Sequence, residues 1–307
     1  MNTTLRWLTG LATAGVGYAG LVERNWYALR RFTVPILPRG SRTLRVLQIS
    51  DLHLVPNQRR KIEWVRSLAE LSPDLVVNTG DNLAAVDAVA PALRAMEPLF
   101  GSPGVFVMGS NDYFGPTPKN PARYLTRRHA EAPPGRVRLP VEDLRAGMLA
   151  GGWRDLDNVR TAMTVGGVPL ELVGTDDAHI GRDRYAVVSA RPSTEAALTV
   201  GVTHAPYRRV LDPMAADGAR LIIAGHTHGG QLALPFYGAL VTNCDLPTSR
   251  AKGLSRWWPG AGSQPSSYAP ADAAWLHVSA GLGTSPYAPV RFACRPEATL
   301  LTLTERG

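Results

Sequence analysis

A chain of 307 residues, 45% hydrophobic and 19% charged, has the composition of an ordinary globular protein with a sizeable core, which excludes a disordered or fibrous polypeptide. Its net charge of +8 favours anionic partners, whether phosphorylated small molecules, anionic lipid surfaces or nucleic acid. No run of basic residues is interleaved with aromatics, so no nucleic-acid partner is expected. Two cysteines, Cys244 and Cys294, exclude a disulfide framework and a thiolate metal site, and are read as buried thiols; a bridge between them would require export.

Residues 7–22 (WLTGLATAGVGYAGLV) carry no charge, and Arg6 and Glu23-Arg24 flank them. The segment falls short of the about 20 apolar residues of a full membrane span. Its four glycines suit a membrane helix better than a soluble one. An uncleaved anchor, a cleaved signal peptide with Ala12-Thr13-Ala14 as a poor cleavage site, and a helix packed on the domain all remain open. If the segment spans, Arg24, Arg30 and Arg31 after it place the large domain on the cytoplasmic face; the alternative is an exported protein. Residues 1–40 are therefore read as an apolar segment with a lead-in strand, and 41–307 as the functional domain.

From residue 44 short apolar runs end in polar turns: RVLQIS (45–50), DLVVNT (74–79), GVFVMG (104–109), LELVGT (170–175), LTVGVT (198–203) and RLIIAG (220–225). Such runs read as strands buried on both faces. Helical patterns lie at 59–71, 86–99 and 207–216. Residues 114–150 lack a firm period and read as an excursion over the site, and 256–272 as a long mobile loop. Strand candidates at 275–280 and 298–303 close the chain. The order predicts an α/β fold of two packed mixed β-sheets flanked by helices, a four-layer sandwich.

The polar residues stand at the ends of these strands. Asp51 and His53 follow the first run, Asp81 the second, Ser110-Asn111-Asp112 the third, His204 the fifth, and His226 and His228 the sixth. Sites in α/β sheets assemble at the carboxyl ends of strands, so these residues converge. Mixed imidazole and carboxylate donors suit Zn, Fe or Mn, not Ca. A shared carboxylate can bridge two ions about 3.5–4 Å apart.

With its DLH, GD, Asn-Asp, TH and GHTHGG motifs, the chain resembles the calcineurin-like metallophosphoesterases from about residue 45 to the C-terminus. The longer strings GHTHGGQLALPFYGALV, TSRAKGLSR and VSAGLGTSPYAPVRFACRPEATLL look like the YkuE-type branch. The resemblance implies two divalent or trivalent metal ions: Asp51, His53 and His228 on one, His204, His226 and Asn111 on the other, and Asp81 bridging. It implies in-line attack of a metal-bridging hydroxide on a phosphodiester or pyrophosphate, on a lipid- or nucleotide-linked substrate. A metal-bound non-catalytic scaffold and a nuclease are the alternatives.

The sequence departs from the family at 109–112, where Gly-Ser-Asn-Asp replaces the usual Gly-Asn-His-Asp or Gly-Asn-His-Glu. Either Ser110 or Asn111 fills the ligand slot, and Asn111 is favoured because a neutral hydroxyl is a poor metal ligand. Asn111, Asp112 and His204 are the catalytic candidates, with Asp112 considered for protonating the leaving group.

Overall fold

The computed structural model describes residues 13–118 and 135–307. Two six-stranded sheets lie face to face. The first has the order β1 (Ala28–Leu37), β14 (Glu297–Glu305), β2 (Leu44–Ile49), β3 (Leu75–Asn78), β4 (Gly104–Phe106), β5 (Arg154–Asp155). The second runs β12 (Gly253–Trp257), β13 (Ala274–Val278), β9 (Leu221–Ala224), β8 (Leu198–Thr203), β7 (Val168–Thr175), β6 (Arg160–Val165). Within the first, β2, β3, β4 and β5 are parallel and β14 runs antiparallel to β2; within the second, β13, β9, β8 and β7 are parallel and the two edge strands antiparallel.

Strand alternation divides the side chains between two layers. Leu44 and Val46 of β2, with Leu75 and Val77 of β3, meet Leu170, Leu172, Val200, Val202, Leu221 and Ile223 of the second sheet in one buried core. The alternate positions, Leu47, Ile49 and Val76, face outward under helices α1 (Arg59–Ser67), α2 (Val89–Met96) and α3 (Val141–Ala150). On the far side Ile222, Ala224, Leu276 and Val278 pack under α4 (Arg208–Ala216), through Val210, Leu211 and Met214. These strands bury both faces, which is why they read as continuous apolar runs. The architecture is helix–sheet–sheet–helix.

Two expectations need correction. The 114–150 stretch is not all excursion: residues 119–134 lie outside those described, but α3 belongs to the first sheet's helix layer, with Leu144 and Met148 fully buried. Its inward face is Leu144 and Met148 with half-buried Val141, set among Ala, Gly and charged residues, too short a run to set a visible period. Gly147 lets α3 close on Leu93 of α2, where a Cβ would collide. The loop expected at 256–272 also begins inside strand β12, and Trp257 is completely buried there, its Nε1 donating to Asp212 at 3.0 Å. The apolar segment at 7–22, for which an anchor is one of three readings, lies partly outside the described residues. Among those described, no helix is long and apolar enough to cross a membrane. Its visible part ends in a π-helical turn at Tyr18–Val22, tied to the domain by the Arg291 amide donating to Ala19 O at 3.0 Å.

The cysteines are free thiols; Cys294 is buried and Cys244 half-buried.

Candidate metal centre

Five of the predicted donors sit where a parallel strand breaks into a left-handed turn. Asp51 (φ 50°), His53 (φ 41°), Asp81 (φ 56°), His226 (φ 71°) and His228 (φ 51°) all have positive φ. Asp and His tolerate this region better than most residues, but at a cost. The backbone thereby turns back on itself and points consecutive polar side chains into one place. Small neighbours make room: a Cβ on Gly109 would collide with the Asp81 carboxylate, and one on Gly225 with Ser50 and Asp51.

Asp51, His53, Asp81 and His228 bring donor atoms within 4.8 Å of one another. The Nε2 atoms of His53 and His228 face each other at 3.1 Å, and His228 Nε2 lies 3.5 Å from Asp51 Oδ1. Asp81 Oδ2 is the hub. It lies 3.4 Å from His53 Nε2 and 3.5 Å from His204 Nε2, and accepts the Asn111 side-chain amide at 2.6 Å. On the His204 side, the His226 ring stands edge-on to that of His204, centroids 5.2 Å apart. Of the other six predicted ligands, His53, His204 and Asn111 approach the Asp81 carboxylate directly, Asp51 and His228 cluster with it on the His53 side, and His226 stands against His204.

Backbone carbonyls fix which imidazole nitrogen faces the centre. His204 Nδ1 lies 2.6 Å from Thr79 O, His228 Nδ1 3.1 Å from Gly283 O, and His226 Nε2 3.2 Å from Asn243 O. If those nitrogens carry the protons, the opposite nitrogens present lone pairs inward, as metal-bound histidines do. Burial pushes His53 down to about 4 and holds His226 and His228 well below the ordinary histidine value, so these rings are neutral. Burial works against protonation of His204 too, but the Asp81 carboxylate outweighs it and raises this residue. Burial pushes Asp51 up to about 6. His53 Nδ1 has no hydrogen-bond partner despite its burial, and His204 Nε2 approaches Asp81 without hydrogen-bond geometry. Buried imidazoles, those of His53, His226 and His228 held neutral, beside the Asp51 and Asp81 carboxylates are a donor set that fits divalent metal.

Asn111, not Ser110, touches the hub: its backbone N–H also donates to Asp81 Oδ1 at 2.7 Å, while the buried Ser110 hydroxyl reaches only the Asn111 amide, at 3.4 Å. Asp112 faces away. Its carboxylate accepts the backbone N–H groups of Asp81 (2.8 Å), Asn82 (2.7 Å), Gly109 (3.0 Å) and Leu83 (3.3 Å), and no part of it is exposed. Burial and the Asp81 charge push Asp112 up to about 7, against those amide donors. With both oxygens occupied by donors, it sits as a support behind Asp81 rather than in the cleft.

Two further residues escaped the sequence reading. His179 is exposed, its ring 4.6 Å from that of His226 and its Nδ1 3.0 Å from Tyr207 Oη. It follows β7, a strand whose end was assigned no candidate, and the strand-end rule applied there points to it. Arg291 is fully buried and donates to the carbonyls of Ala280, Gly281 and Gly283, fixing the loop that carries the partner of His228. It lies within the string VSAGLGTSPYAPVRFACRPEATLL, where it was assigned no role.

A sandwich of two mixed sheets with this donor array at its strand ends defines a metal-dependent phosphoesterase. The calcineurin-like phosphoesterase sequence model matches residues 44–230, and the chain belongs to that family. It is 26% identical to the uncharacterized metallophosphoesterase YkuE of Bacillus subtilis, over 95% of this chain and 91% of that one. It is 25% identical to the phosphodiesterase YaeI of Escherichia coli, over 95% and 93%. An uncharacterized metallophosphoesterase of Aquifex aeolicus is 24% identical over 93% and 95%.

Proposed function

We propose that this protein hydrolyses a phosphodiester or pyrophosphate bond at a dinuclear metal centre, with Asp51, His53 and His228 holding one ion, His204, His226 and Asn111 the other, and Asp81 shared. The observation that carries this reading is Asp81 Oδ2 standing 3.4 Å from His53 Nε2 and 3.5 Å from His204 Nε2, a single carboxylate oxygen between two groups of donors. Two ions there would polarise a phosphoryl oxygen and lower the pKa of a water between them. Mn, Zn and Fe all suit such donors.

The chain's own contribution is orientation. Thr79, Asn243 and Gly283 set the histidine tautomers, Asn111 braces the Asp81 carboxylate, and Asp112 braces the Asp81 backbone. On this reading Asp112 is a positioning residue, and protonation of the departing oxygen falls to water or another group, or is dispensable for a good leaving group. The similarity to the phosphodiesterase YaeI and the cationic charge support an anionic phosphate ester as substrate; a lipid- or nucleotide-linked ester is part of the proposal.

Protein loaded with Mn or Zn is assayed on a generic phosphodiester and a phosphomonoester beside an Asp81→Ala control. Turnover of the diester well above the control, with little of the monoester, supports the reading. Activity no greater than the control would leave the metal-bound scaffold as the better description.

A further inference from the structure

The exposed apolar side chains are not scattered. Phe236 stands wholly in solvent between β10 (Ala233–Leu234) and β11 (Gly238–Ala239), with Tyr237 beside it at 74% exposure and Leu232, Leu234 and Leu240 also exposed. Leu232 is bridged to Phe292, whose ring meets that of Tyr18 edge-on at 6.4 Å. Tyr18 opens the N-terminal π-helical turn, where Leu21 and Val22 are exposed, followed by exposed Trp26. Segments 13–26, 231–244 and 282–296 so build one apolar face. It is contiguous with the metal centre, because Leu232 follows the His226–His228 turn by four residues and Gln231 donates to Ala288 O at 2.7 Å.

The charge on this face is one-sided. The only carboxylate in the three segments is Glu23, which is buried and accepts the amides of Ala293 and Cys294. Arg24 and Arg295 lie at the edge, the Arg295 guanidinium 4.0 Å from the centre of the Trp26 ring. Phe236 moreover holds a left-handed backbone (φ 68°), rare for an aromatic residue, and buries nothing in return. Apolar side chains at the front, cations and an indole at the margin, and no exposed carboxylate within the three segments are the chemistry of a surface that enters an anionic phospholipid interface.

We propose that this face docks in the plane of an anionic phospholipid bilayer, with Phe236 and Tyr237 entering the acyl boundary, so that the metal centre lies beside the headgroups. This goes beyond the hydrolytic reading and does not depend on it, since docking is measured without turnover.

The full chain is sedimented with vesicles of phosphatidylcholine containing phosphatidylglycerol, and with phosphatidylcholine alone, at low and high salt. Binding is expected to the anionic vesicles and to weaken with salt. The exposed pair Phe236→Ser/Tyr237→Ser lowers the partition coefficient about tenfold or more, while bound metal and the circular dichroism spectrum stay as in the wild type. Undiminished vesicle binding by the double variant overturns the proposal. So does a wild-type dimer that the double variant dissolves without vesicle binding by either, because the face then covers a second copy. Loss of diester hydrolysis bears on the proposed function alone.

Discussion

Asp112 holds Asp81 by the main chain rather than the side chain, its Oδ2 accepting the Asp81 backbone N–H at 2.8 Å. The same carboxylate gathers the amides of Asn82, Leu83 and Gly109, so it ties the turn after β3 to the turn after β4. Asp112→Ala strands these buried donors, each at about 1–3 kcal/mol. The expected result is a large fall in thermal stability, together with a loss of metal affinity of about 10–100-fold, the usual effect of removing a residue that orients a ligand. Metal content after dialysis checks the second point. A stable Asp112→Ala variant that retains its metal and loses only activity on poor leaving groups would restore Asp112 as the proton donor.

Residue 111 can be separated from residue 110. Asn111 contacts both Asp81 oxygens, whereas the Ser110 hydroxyl meets only the Asn111 amide. Ser110→Ala is therefore expected to keep diester turnover within about threefold, and Asn111→Ala to lose about 100-fold or more. The opposite ranking in kcat would put Ser110 in the ligand slot.

Acid stability should report His277. Its ring is completely buried between the sheets, Nδ1 lies 2.6 Å from Gln48 Oε1, and burial pushes its pKa from 6.5 down to about 3. The unfolded chain takes up this proton below 6.5 and the native one does not, so stability is complete above 6.5 and declines as the pH falls towards 3. His277→Gln, which keeps a polar group for Gln48, should make the slope of unfolding free energy shallower by about 1 kcal/mol per pH unit in that window. Chemical denaturation at pH 7, 6, 5 and 4 measures it; coincident slopes exclude His277 as the source.

Metal should stabilise the native state. The facing Nε2 atoms of His53 and His228, beside the Asp51 and Asp81 carboxylates, are donors that a cation would bind in the native state only. Ions at 100 times their dissociation constant add about 2.7 kcal/mol. Calorimetry with and without chelator should show a clear fall in Tm for the wild type and a smaller one for Asp81→Ala.

The catalytic end of the fold was legible because each strand run stops at a residue whose type reveals its chemistry. Asp51, Asp81, His204 and His226 follow buried strands, and no ordinary turn needs that set together. What stayed hidden depends on direction. Asn111 and Asp112 are neighbours in sequence, but Ser110–Tyr113 forms one helical turn, and successive residues there point about 100° apart. One therefore reaches the centre and the other the backbone behind it. Arg291 drew no role because its partners are backbone carbonyls, which no side-chain pattern announces, and α3 was hidden because its inward face is short, Leu144 and Met148 with half-buried Val141. The N-terminal segment shows the limit of reading apolarity alone: Tyr18–Val22 ends in contacts with residues 289–294 that no local pattern announces.

The left-handed backbone at Asp51, His53, Asp81, His226 and His228 has one more consequence. Each such residue holds a conformation that glycine adopts freely and that costs other residues roughly 1–2 kcal/mol. On the proposed reading, the chain trades robustness for reactivity at its ligands. Ligand-to-glycine variants such as Asp81→Gly, inert as hydrolases, should in the metal-free state melt higher than their alanine counterparts at the same positions. Selection for thermostability alone would tend to erode this centre from within.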